Sequence, residues 1–111
     1  MQYRKLGRTD LRVSALCLGS MTWGEQNTEQ DGFAQIDQAR AAGINFIDTA
    51  EMYPVPPRSP TYGATESIIG NYFKQGGNRS DWIIASKIAG PGNGIDYIRD
   101  GKPKHNREHI V

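Results

Sequence analysis

The apolar positions of this chain fall into short blocks whose period changes along the sequence. Tyr3 to Leu6 and Leu11 to Ser14 are extended-type runs, with Gly7-Arg8-Thr9-Asp10 between them as turn chemistry. That combination predicts a β-hairpin. Val13 to Leu18 is a mostly apolar run stopping at Gly19, which suits a buried strand: the second hairpin arm, then the first strand of a larger sheet. Thr28-Glu29-Gln30-Asp31 has the form of a helix start, with Asp31 three positions after the capping Thr28. Phe33, Ile36, Ala39 and Ala42 follow at helical spacing, and Gly43 takes the terminating position. Ile44 to Asp48 is the next β-type run. Thr65 to Phe73 is a second helix with Ile68, Ile69, Tyr72 and Phe73 on one face, stopped by Gly76-Gly77. Trp82 to Ala85 is a further apolar strand leading into Ser86-Lys87, and Asn106 to Val111 begins another helix.

Strand, helix, strand, helix, strand and the start of a helix imply parallel strands joined by crossovers. The links from helix to strand are short. The links from strand to helix are long: Gly19 to Asn27, Thr49 to Ala64, and Ile88 to His105. In a β/α barrel the loops after the strands share one face, and that face carries the chemistry. The asymmetry favours a functional face there over tolerated surface excursions. The fold class expected is α/β: the N-terminal part of a (β/α)8 TIM barrel, with an opening β-hairpin and about three βα units. Such a barrel needs eight strands and ~250 residues, so the chain is expected to be truncated, with Trp82 to Ala85 left as an apolar edge.

Composition changes the picture little. Hydrophobic residues are 37% and charged residues 23% of the 111, which suits one globular domain with a modest core. The net charge is +1, with Lys and Arg scattered, which argues against a nucleic-acid or anionic-membrane partner. The single cysteine, Cys17, allows no internal disulfide; its apolar neighbours predict a buried, reduced thiol rather than a nucleophile. The first residues lack the apolar core of a signal peptide, and no run approaches the ~18 apolar residues of a membrane span. The cytoplasm is therefore the expected compartment, and the oligomeric state is not legible.

There is no G-x-G-x-x-G after a strand, no Walker loop and no zinc spacing. His105 and His109 stand four apart in the last expected helix; without a third ligand they read as a solvated face, and no metal is expected. More informative are Asp48 and Lys87, ionisable residues that follow apolar strands and would point onto one face. Their attraction would keep the lysine charged in a partly dry site. An ordinary strand-end ion pair and a functional pair fit equally well. Tyr53 lies in the loop after Asp48. A phenol beside an ammonium can act as general acid toward a carbonyl oxygen, although a tyrosine in a Pro-rich loop also suits simple packing.

These residues carry a resemblance. Gly43-Ile44-Asn45-Phe46-Ile47-Asp48-Thr49-Ala50 with Glu51-Met52-Tyr53 resembles the aldo/keto reductase signature, and Glu66-Ser67-Ile68-Ile69-Gly70 resembles its end. Ile83 to Lys87, Leu18 to Gly24, and Tyr3 to Gly7 with Val13-Ser14 resemble the family's lysine-bearing strand, first strand-loop and opening hairpin. Ala50 to Arg58 is similar to the Tas-type bacterial members. The resemblance implies that residues 1–111 are an N-terminal fragment of one NADP-dependent oxidoreductase domain. It implies NADP(H) as cofactor and a small-molecule aldehyde or ketone as substrate. Tyr53 would protonate the forming alkoxide, Lys87 would support that proton release, and Asp48 would hold Lys87. Gly19, Ser20 and Met21 would lie near the nicotinamide half of the cofactor, with Asp48 near its ribose. Trp23 and Tyr53 would line the substrate pocket.

Three departures accompany it. Pro54 to Tyr62 is inserted after Tyr53, so that Tyr62, in Tyr62-Gly63-Ala64-Thr65-Glu66, rivals Tyr53 as the phenol; the short count from Asp48 favours Tyr53. The family's catalytic histidine, after its fourth strand, has no counterpart here, and His105 and His109 lie in the wrong segment to replace it. The family's residues for the adenosine 2′-phosphate are also missing. An inactive remnant and a family-like binding module therefore remain alternatives to a carbonyl reductase.

Overall fold

A computed structural model describes residues 1–110. The chain opens with an antiparallel hairpin, β1 (Tyr3–Lys5) and β2 (Arg12–Ser14), in which Tyr3 pairs with Ser14 and Lys5 with Arg12. A three-stranded parallel sheet follows in the order β3 (Leu18–Gly19), β4 (Phe46–Asp48) and β5 (Ile83–Ala85). Helix α1 (Glu29–Ala41) connects β3 to β4, and α2 (Ala64–Lys74) connects β4 to β5. A short helix, α3 (Arg107–Ile110), comes last. The expected βα alternation is thus present; the part of the last helix expected at Val111 lies outside the described residues.

Local chemistry explains the boundaries. Thr28 Oγ1 accepts from the Asp31 amide at 3.1 Å, and Asp31 accepts from the Thr28 amide at 2.8 Å, a reciprocal cap satisfying two free amides of α1. Gly43 ends α1 at φ +83°, a left-handed conformation that glycine adopts without strain. The Tyr3 hydroxyl donates to the Gly43 carbonyl at 2.6 Å. Asn45 bonds both Ser14 and the Arg12 carbonyl. These bonds dock the hairpin where β4 begins, leaving the opposite ends of the strands clear.

The core lies between the helices and one face of the sheet. Trp23, Ile36, Ile47, Ile68, Ile69, Tyr72 and Trp82 are buried together there. Because side chains alternate along a strand, Ile47 faces the helices and Asp48 faces away from them. The Tyr72 hydroxyl donates to Asp37 at 2.7 Å, tying α2 to α1.

The run Val13 to Leu18 holds the end of the second hairpin arm and the start of the first strand of the parallel sheet, as expected, but its middle is exposed rather than buried. It bends after Ser14, whose hydroxyl donates to the Leu16 carbonyl, and β3 is only Leu18–Gly19. Leu16 and Cys17 are exposed at this bend between the two sheets, so Cys17 is not a buried thiol. Apolar neighbours in sequence did not bury it, because no helix or strand among the described residues covers the bend.

Candidate functional site

The parallel register assembles the site. Gly19 pairs with Asp48, and Asp48 with Ala85, so the three strands finish in one row. Lys87 lies just past that row. Its ammonium donates to both Asp48 carboxylate oxygens, at 2.7 and 2.8 Å, and to the Thr49 carbonyl at 2.7 Å. It also stands 4.9 Å from the centroid of the Tyr53 ring, in cation–π range. Burial works against the charged amine, but the hydrogen bonds to Asp48 and the nearness of Tyr53 outweigh it, so Lys87 titrates above the ordinary lysine value. Three residues expected to act together are therefore in contact.

Tyr53 and Lys87 share a cleft of 310 Å³ with Met52, Ala89, Gly90 and His105. His105 precedes α3 rather than lying within it, and its Nε2 is 3.2 Å from the Ile88 carbonyl. His109 Nδ1 accepts from the Lys104 amide at 3.0 Å. The two histidines thus do not share a helix face, contrary to expectation; each ring engages the backbone. Among the described residues no cluster of three or more His, Cys, Asp or Glu has the arrangement of a metal site.

The rival phenol occupies a different environment. Tyr62 packs edge-on against Tyr97, with ring centroids 5.6 Å apart. Burial and the nearby Glu51 carboxylate push its hydroxyl above the ordinary tyrosine value, which makes it a weaker acid. The insertion that separates it from Tyr53 is a closed excursion: the Gly63 amide donates to the Tyr53 carbonyl at 3.1 Å. Arg58 clamps the excursion to Glu25 at 2.6 Å, and the Val55 amide donates to the Met21 carbonyl at 2.8 Å.

Other expected residues are placed variously. Gly19 is exposed at the strand-end row, and a Cβ there would meet nothing within 4 Å. Met21 is exposed close by in sequence. Ser20 is fully buried, with its hydroxyl donated to the Asp48 carbonyl at 2.7 Å; it joins β3 to β4 and offers no free donor. Trp23 has 0% exposure in the core against α1 and α2, and its indole N–H donates to Gln35 at 2.9 Å. Its large apolar ring gains more from burial between the helices than from facing a strand-end loop.

Glu51 escaped the sequence reading as a separate feature. Its carboxylate receives the Ala89 amide at 2.7 Å and a two-pronged Arg99 guanidinium at 2.5 and 2.6 Å. A second carboxylate three positions after Asp48 was the available signal, but nothing in the sequence pairs it with Arg99.

Comparison with known proteins agrees with this architecture. The model of the aldo/keto reductase family matches residues 15–111. "Protein tas" of Escherichia coli is 54% identical over 96 residues, covering 86% of this chain and 28% of that protein. "Uncharacterized oxidoreductase YrpG" of Bacillus subtilis is 46% identical over 115 residues, covering 99% of this chain and 34% of its own length. A solved "Putative aldo-keto reductase" from Pseudomonas aeruginosa superposes with a TM-score of 0.64 at 33% identity, over 78% of this chain and 31% of that one. The strands and helices are thus those of the opening βα units of a (β/α)8 barrel. This chain belongs to the aldo/keto reductase family of oxidoreductases and spans about a third of the length of the relatives it matches.

Proposed function

We propose that this chain carries the proton-donating half of a site for NADPH-dependent reduction of aldehydes or ketones to alcohols. The observation that supports this reading best is the Lys87 ammonium, bonded to both oxygens of Asp48 and set against the Tyr53 ring. Tyr53 gives its phenolic proton to the carbonyl oxygen as that oxygen gains charge. Lys87 beside it favours proton release by compensating the negative charge left on the phenol. Asp48 fixes Lys87 in position and keeps it protonated.

A nicotinamide dinucleotide supplies the hydride when bound. The donor set suits its ribose and nicotinamide end. Asp48 and Lys87 are half-exposed, at 45% and 47%, beside the open backbone of Gly19 and the exposed Met21. Asp48 would accept a ribose hydroxyl, and the row of strand ends would support the ring. The substrate would be a small carbonyl compound entering the Tyr53 cleft, and the protein would work in the cytoplasm. Among the described residues no helix is long and apolar enough to cross a membrane.

The same half-exposure favours a second reading for these 111 residues alone: an inactive piece whose ion pair is too wet to steer proton transfer. Fluorescence titration of the purified chain with NADPH, alongside circular dichroism, separates the two. Saturable binding to a folded chain supports the reductase reading and leads to aldehyde assays. A folded chain that binds no NADPH supports the second reading.

A further inference from the structure

Glu51 grips the backbone that leads out of Lys87, on either side of Ile88. Its amide donates to the Lys87 carbonyl at 3.1 Å, and its carboxylate accepts from the Ala89 amide at 2.7 Å. Arg99 then closes on the same carboxylate with two parallel bonds, one to each oxygen. Such a fork fixes orientation as well as distance. The Glu51 side chain is only 13% exposed, so solvent competes weakly for it.

Arg99 belongs to the segment that runs from Ile88 to His105 and walls the Tyr53 cleft. Ile98, Ile95 and Ala89 bury themselves there against Met52 and Tyr97, giving that wall a small core of its own. Arg99 and Asp100 have φ of 47° and 54°, a left-handed backbone that side chains other than glycine adopt at a cost. The guanidinium bonds to Glu51 compensate that cost at the point where it arises.

We propose that Glu51, with Arg99, is a positioning pair that locks the loop after β5 to the loop after β4 and so holds Lys87 against Tyr53. This role rests on the reading in which Tyr53 and Lys87 share proton chemistry. Any slide of one loop past the other must break the hydrogen bond from the Glu51 amide to the Lys87 carbonyl, the hydrogen bond from the Ala89 amide and the guanidinium fork together. Glu51 touches no reacting group in this arrangement; it acts through Lys87.

The test is side-chain NMR of the lysines in this chain, comparing wild type with Arg99→Gln. Removing a positive charge by itself raises the titration of a nearby lysine. Losing the lock instead frees Lys87 from Asp48 and Tyr53 and lowers it, so the two causes have opposite signs. The expected result is a lower Lys87 titration, loss of the Tyr53 ring-current shift on its terminal methylene, and partial recovery of both in Arg99→Lys. An unchanged ring-current shift with an unchanged or raised titration, in a chain still folded by circular dichroism, overturns the proposal. If Arg99→Gln fails to fold, Glu51→Gln serves instead: it keeps an acceptor for Ala89, and an unchanged ring-current shift there overturns the proposal equally. Neither readout needs activity. The effect of Tyr53→Phe on carbonyl reduction decides the functional reading separately.

Discussion

Lys87 and Asp48 lie 39 positions apart in sequence, yet the ammonium reaches both oxygens of the carboxylate at 2.7 and 2.8 Å. The contact raises the Lys87 titration despite partial burial. A raised amine stabilises the fold fully below its unfolded value, about 10.4, and that contribution is lost as pH rises through the higher folded value. Both side chains are nearly half exposed, so the pair is worth only about 0.2–1 kcal/mol. Asp48→Asn is therefore expected to lower the Lys87 titration, measured by lysine NMR, while changing the melting temperature little at neutral pH. A large loss of stability would mean that Asp48 holds the fold rather than the site.

Tyr53→Phe is expected to reduce carbonyl reduction by about 10²–10⁴-fold in protein that shows the activity. Tyr62→Phe is expected to leave most of it, because Tyr62 sits against Tyr97 beside a carboxylate that weakens its acidity. Steady-state rates with one aldehyde and NADPH compare the two. The reverse ranking would transfer the acid role to Tyr62.

Glu51 titrates below the ordinary carboxylate value: burial pushes it up, and the Arg99 and Ala89 hydrogen bonds more than offset that push. A lowered carboxylate contributes stability above its unfolded value, about 4.3, and loses it as pH falls through the lower folded value. Thermal melts from pH 6 down to pH 3 should show a larger loss in wild type than in Glu51→Gln. Parallel curves for the two proteins would show that the clamp contributes nothing measurable to the folded state.

Two helical glycines separate propensity from packing. A Cβ at Gly70 in α2 meets nothing within 4 Å, so Gly70→Ala is expected to stabilise by about 0.5–1 kcal/mol. A Cβ at Gly32 in α1 lies 3.1 Å from Ile68 and 3.2 Å from Trp23. Gly32→Ala must displace the core there, at a typical cost of about 1–3 kcal/mol. Urea denaturation should rank Gly70→Ala above wild type and Gly32→Ala below it. Equal gains at both sites would show that the core around Trp23 yields easily.

The sequence determined the elements whose causes are local. The Thr28–Asp31 cap, the Gly43 stop and the period of Ile68, Ile69 and Tyr72 are written in neighbouring residues, and the structure places α1 and α2 accordingly. Asp48 and Lys87 were legible for a similar reason, since each follows its apolar strand and a parallel register brings strand ends together. Tertiary structure alone decided what distant partners supply. Cys17 sits among apolar neighbours in sequence and Trp23 stands between Thr22 and Gly24, yet only Trp23 has two helices to cover it. Glu51 became a clamp because folding brought Arg99 to it across 48 positions. Burial and ion pairing depend on which surfaces meet in three dimensions, whereas caps and periodicity depend on residues a turn apart, and only the latter spacing is carried by the chain itself.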